Sequence, residues 1–417
     1  MTLERDTTNV LSSFRTSRRD LWEWGAVNEY VFEAELGVEL LRDMVDDYGA
    51  AGVIPGVQKA IASTFRVLMR ADDSGGSIQL VIADLLTLHA ELCAETPPST
   101  AALCSWMQKQ QFGELGEYFS IDVVDYEEAL GTRGVARFEA QLMKRREALT
   151  TPFDGRPELA FQHDSEWHAR DALLTNLQRL SVLHADQDAI VRSHGGDLPR
   201  AHLRAETAVA LREAGFMDRA TTVAHEGMML DGAAHQQRAC GALWRDLLIE
   251  LGDDGAESAA AEVFERWPSA SALHEWSQIA DDWAARREGA LVTLRGRPGE
   301  LVSFLVESGD VQRAWDEAAL ATRSGRSLLA AQWDDLVAAY RALDPVAVLP
   351  VMAQLIDDRL AVANTKAYPG AVRRMRELRK HALAAGRPEI ASEYLADLRI
   401  RFARRPALIA RMDAARV

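Results

Sequence analysis

A glycine followed five residues later by an alanine recurs through the second half of this chain: Gly215–Ala220, Gly255–Ala260, Gly309–Ala314 and Gly386–Ala391. Each step lies between two stretches whose apolar residues return at i, i+3 and i+4, the spacing of an amphipathic helix. Glycine ends a helix cheaply because it tolerates left-handed backbone. A small residue early in the next helix then lets the two helices close on one another. The clearest unit pairs Ala208, Leu211 and Ala214 with Ala220, Val223, Ala224 and Met228 about Gly215. This pattern predicts stacked helical hairpins, an architecture that builds surfaces more readily than reaction centres.

The hinges are 40, 54 and 77 residues apart. The last gap is close to twice a 38-residue period, and Leu343-Asp344-Pro345 falls near its midpoint. The 54-residue gap implies inserted short helices around Trp276, Trp283 and Leu291. The fold class expected is therefore all-α: a helical N-terminal domain followed by a TPR-like α-solenoid. Residues 1–20 are polar and read as a flexible lead-in. Residues 21–150 form the N-terminal domain, with Val31, Leu36, Leu40, Leu41, Met44 and Val45 as the apolar face of its first helix. Thr151-Pro152-Phe153-Asp154-Gly155-Arg156-Pro157 concentrates helix breakers and is the expected boundary. Residues 158–417 form the hairpin array, ending in a basic cap.

The chain has no run of 18 apolar residues, so no membrane partner is expected. Its first residues lack the basic start and apolar core of a secretory signal. Cys93, Cys104 and Cys240 have no paired spacing and read as reduced, buried small hydrophobes of a cytoplasmic protein. The net charge of −16 opposes nucleic-acid binding by the surface as a whole. The charge is uneven, however. Residues 366–417 carry 13 Lys/Arg against 5 Asp/Glu, a local net of +8.

Asp72-Asp73-Ser74 is the most conspicuous polar cluster. It reads as a turn and helix cap, because it lacks the alternating oxygen ligands and terminal glutamate of a calcium loop. The histidines include no His-Glu-x-x-His; His163 and His168 diverge on a helix, and His225 and His274 stand without a second histidine at ligand spacing. No nucleophile elbow, phosphate loop or dinucleotide fingerprint occurs. Adjacent carboxylates such as Asp253-Asp254 and Asp357-Asp358 point about 100° apart on a helix and do not converge on a substrate. No catalytic residue, cofactor site or metal site is therefore assigned. The least ordinary feature is the basic C-terminal segment, in which Arg373, Arg376, Lys380, Arg399, Arg401, Arg404 and Arg405 are candidate partner-binding residues.

Two stretches carry a family resemblance. One runs from Asp72-Asp73-Ser74-Gly75-Gly76 through Leu85-Leu86-Thr87-Leu88-His89 to Gly131-Thr132-Arg133-Gly134. The other runs from Leu305–Trp315 to Tyr394–Arg399 and Arg404-Arg405-Pro406. On these the chain resembles an uncharacterised bacterial helical-repeat family whose members often place this region after a SWIM-type zinc finger. The resemblance spans most of residues 25–417 and implies the fold rather than an activity. The finger's CxC…CxH segment is absent, so its nucleic-acid role does not carry over. The expected function is a non-enzymatic scaffold binding a protein partner, with nucleic acid as the alternative ligand of the basic segment.

Overall fold

The computed structural model describes residues 3–18, 20–157, 165–362 and 364–417. Among these the chain is all-helical, with twenty α-helices, two short 3-10 turns and no strand. It divides into two compact units, residues 1–247 and 248–417.

The first unit contains α1 (Leu3–Val10), α2 (Trp24–Leu68), α3 (Ser77–Glu95), α4 (Thr100–Gln111) and α5 (Glu127–Glu147). It continues through α6 (Trp167–Leu183), α7 (Gln187–His194), α8 (Ala201–Glu213) and α9 (Met217–Met229) into α10 (Ala234–Leu251). The segment expected to be a loose lead-in is instead core. Val10, Leu11 and Phe14 are buried, and Phe14 fits so closely over Gly37 of α2 that a β-carbon there would lie 2.8 Å from its ring. Tyr48 adds a hydrogen bond to Asp6 at 2.5 Å.

In α2, Gly49 adopts φ +70° and breaks the helix into two segments. Leu41 and Met44 face the core as expected, whereas Leu36 and Leu40 are about half exposed on the opposite flank. Helix α3 is long and apolar enough to cross a membrane by composition alone. Its Ile78, Val81, Ile82, Leu85, Leu88 and Leu92 are, however, packed in the core of this unit.

The unit boundary lies inside α10, at Leu247/Leu248, and not at the breaker-rich 151–157. Phe153 is buried in the same core as Leu142, Leu173 and Leu180, and Leu177 packs over Gly155. Breakers there turn the chain without releasing it.

The second unit contains α11 (Ala256–Arg266), α12 (Ala270–Ile279), α13 (Trp283–Leu294), α14 (Pro298–Glu307) and α15 (Val311–Arg323). It closes with α16 (Ala330–Tyr340), α17 (Val348–Leu360), α18 (Tyr368–Ala384), α19 (Pro388–Arg401) and α20 (Pro406–Ala415). The expected inserted helices around Trp276 and Trp283 are α12 and α13, and Leu343-Asp344-Pro345 is the connection from α16 to α17, where Asp344 accepts from the Val346 and Ala347 amides.

One turn recurs in both units. A left-handed residue ends a helix, and the next amide donates to the carbonyl five residues back. It occurs at Gly215 (Phe216 to Leu211, 2.8 Å), Gly309 (Asp310 to Leu305, 2.8 Å) and Gly386 (Arg387 to Ala382, 2.8 Å). This is the Schellman closure, which satisfies carbonyls that the helix end leaves free. At all three, the alanine five residues on is fully buried. The pairs α8–α9, α14–α15 and α18–α19 pack on each other across these turns.

Gly255 departs from the prediction. Its φ is −73°, and Gly252, at φ +66°, makes the turn by sending the Asp253 amide to Leu248. Ala185 makes the same turn between α6 and α7 without glycine, at φ +48°, and the buried residue five later is Ile190. A β-carbon in left-handed backbone costs about 1–2 kcal/mol, against an entropic penalty for glycine of roughly 0.5–1 kcal/mol. Ala185→Gly is therefore expected to stabilise the first unit by about 0.5–1 kcal/mol, read as a rise in urea midpoint. An unchanged or lower midpoint would show that the turn carries no strain.

Candidate partner-binding groove

Asp72-Asp73-Ser74 is a cap. Both Asp73 oxygens accept backbone amides at the start of α3, from Ile78 at 3.0 Å and Gln79 at 3.1 Å, where the helix dipole favours a carboxylate. The three cysteines are buried, and burial pushes the Cys93 thiol up to about 12 and Cys240 up to about 11, so neither is a thiolate at neutral pH. Among the described residues no three His, Cys, Asp or Glu side chains gather to hold a metal. His163 lies outside the described residues, His168 faces Glu117 at 3.6 Å, and His225 packs on the Trp244 ring.

The seven basic candidates divide into two sets. Arg399 holds the last helix, bonding Asp413 at 2.6 Å and the Val417 carbonyl at 2.5 Å. Arg401 lies between Asp357 (3.0 Å) and Asp397 (2.6 Å), and Arg405 donates to the Leu360 carbonyl at 2.7 Å while covering the Phe402 ring. These three cross-link α17, α19 and α20. Arg373, Arg376, Lys380 and Arg404 are exposed and make no ion pair among the described residues.

Arg373 and Lys380 line a depression of about 440 Å³ together with Asp334, Arg341, Glu377 and His381. Burial and the neighbouring Arg341 and Lys380 hold the His381 imidazole below its usual pKa.

Across Arg374 from that depression lies a larger groove of about 830 Å³, which no single-residue pattern in the sequence marks. Its walls are one face of α15 (Trp315, Ala319, Thr322, Arg323) and one face of α17 (Val351, Gln354, Leu355, Asp358). The turn after α15 and the start of α16 lie between them. Gly325, at φ +73°, closes α15 by the recurring turn and delivers Arg326 and Leu328 to the groove. Trp315 is fixed by parallel stacking on Tyr340, with ring centroids 4.2 Å apart and planes 5° from parallel, and Trp333 meets it edge-on.

Four guanidiniums line the groove against one carboxylate, Asp358. Arg374 is held by Asp334 in a two-pronged pair at 2.5 and 2.6 Å, which raises its pKa above that of a free guanidinium. Arg326 donates to the Arg295 carbonyl at 2.7 Å. Arg359 rests on Gly370 of α18, where a β-carbon would lie 2.6 Å from its guanidinium. Arg323 and Arg359 are exposed and make no ion pair among the described residues. The groove can thus desolvate an apolar surface and neutralise anionic groups beside it. A cue was present in Ser324-Gly325-Arg326-Ser327, a helix break flanked by arginine, but the walls come from residues up to 59 positions apart.

Comparison with protein-family models, with curated proteins and with solved structures finds no match to this chain.

Proposed function

We propose that this chain is a non-enzymatic protein-interaction scaffold: helical repeats arranged as a TPR-like solenoid, acting in the cytoplasm, without a cofactor and away from membranes. The helical region that follows SWIM-type zinc fingers is its proposed family context. The observation that carries the reading is the groove between α15 and α17, apolar inside and arginine-lined, set on helices held by repeated tight turns. Its hydroxyls, Thr322 and Ser327, have no histidine or lysine among the groove residues to activate them. Such a surface suits recognition. Affinity capture from the source cell's extract, read by mass spectrometry, is expected to return a specific protein. A chain that retains none, yet turns over a small molecule, is an enzyme and not a scaffold.

Arg373, Arg376, Lys380 and Arg404, exposed and without an ion pair among the described residues, favour a second reading, in which they contact nucleic acid. That reading predicts binding that weakens steeply with salt and is lost when these four are neutralised. Binding that ignores salt, or none at low salt, removes it.

A further inference from the structure

We propose that the groove between α15 and α17 receives an acidic amphipathic helix from a protein partner, with apolar side chains over Trp315, Leu328 and Leu355 and carboxylates on Arg323 and Arg359. The inference rests on the scaffold reading and specifies its ligand.

Three features point to this occupant. The first is shape. The lining residues of α15 run from 315 to 323 and those of α17 from 350 to 359, each at helical spacing. At the helical rise these walls are about 12–14 Å long, which matches two turns of a helix laid between them.

The second is charge. The whole chain carries −16, yet the groove presents four arginines and one aspartate. An acidic segment is attracted there.

The third is the state of the arginines. Arg374 and Arg326 are already bonded to Asp334 and the Arg295 carbonyl, so they shape the rim. Arg323 and Arg359 make no ion pair among the described residues and are available to carboxylates. Arg359 lies over Gly370 at the start of α18.

A single-stranded nucleic acid fits less well. One face of Trp315 is already covered by Tyr340, which leaves less ring surface for base stacking.

The test pans a random peptide library of about 12 residues, long enough for the groove, against the full chain. The arginine-reversed variant R323E/R359E serves as the counter-screen. The expected enrichment is for sequences with Asp or Glu beside Leu, Ile, Phe or Trp at i, i+4. Their affinity for the full chain should fall at least ~10-fold with R359E, as for loss of a charge-assisted contact.

Arg359→Gln removes the charge without reversing it, and should weaken the same peptides by about 3- to 10-fold with unchanged circular dichroism. It is the second variant if charge reversal disturbs folding. The proposal is overturned by no enrichment, by enrichment of basic or uncharged sequences, or by affinities indifferent to both variants. Displacement of the peptides by oligouridylate assigns the groove to nucleic acid and also overturns it. Partners captured from extract equally by the full chain and by R323E/R359E would leave the scaffold reading standing and remove this groove from it.

Discussion

Replacing Phe14 by alanine is expected to destabilise the first unit by about 3–5 kcal/mol, the range for removing a large buried aromatic. The side chain is fully buried, in a stretch that composition alone would treat as a disposable tail. Its ring sits where a β-carbon of residue 37 would be, so the glycine and the phenylalanine form one fitted contact between the N-terminal segment and α2. Neighbouring side chains cannot fill the space, because Val10, Leu11 and Tyr30 are already packed in the same core. Phe32→Ala, on an exposed flank of α2, is the matched control and should change stability by no more than about 0.5 kcal/mol. Urea denaturation followed by tryptophan fluorescence separates the two. Equal midpoints would mean that the N-terminal segment is not docked in solution.

Acidification is expected to weaken the same unit through His89. This imidazole is fully buried between Gln58 (2.9 Å) and the Tyr126 hydroxyl (2.9 Å), stacked on Trp106 at 4.0 Å. Burial pushes its pKa down from 6.5 to about 4, because no charged group faces it to repay the lost hydration. The unfolded chain therefore takes up a proton near pH 6.5, which the folded chain refuses until about pH 4. Stability from this residue is complete above pH 6.5 and is lost as the pH falls through that window, by roughly 3 kcal/mol in total. Burial lowers the pKa of His194 as well, so its contribution has the same sign. His89→Gln keeps a polar partner for Gln58 and Tyr126 but does not titrate. Its unfolding free energy should depend less steeply on pH between 4 and 6.5, and a slope equal to that of the natural chain would refute this role for His89.

Helix content and most hinges were legible in the sequence because they depend on short-range rules. A left-handed helix end wants glycine whatever lies around it, and so Gly215, Gly309 and Gly386 announce their turns. Ala185 does not, because there an ordinary residue takes the left-handed conformation, closed by the Asp186 amide on the Ser181 carbonyl. Gly255 misled because a second glycine three residues earlier competed for the turn, and the hydrogen bond to Leu248 decided between them. Leu36 and Leu40 fit a helical stripe as well as Leu41 and Met44 do. The packing of α3 and of the N-terminal segment on α2 chose which of them are core.

The basic segment illustrates the same division. Arginines at 399, 401 and 405 look like free charge in one dimension, but α17 and α20 supply the carboxylate and carbonyl partners that turn them into cross-links. The groove is the converse case. Trp315, Arg323, Leu355, Arg359 and Gly370 have no common motif, and they meet because α15, α16 and α17 pack in succession with α18 alongside.

By itself the sequence determined that the chain is helical, where most of its helices stop and which small residues let them pair, since backbone torsion and apolar period act over a few residues. Only the tertiary structure decided that the N-terminal segment is core, that the breakers at 151–157 lie inside a compact unit, and which arginines stay available to a partner. Those outcomes depend on contacts between residues far apart in the chain, and no local preference encodes them.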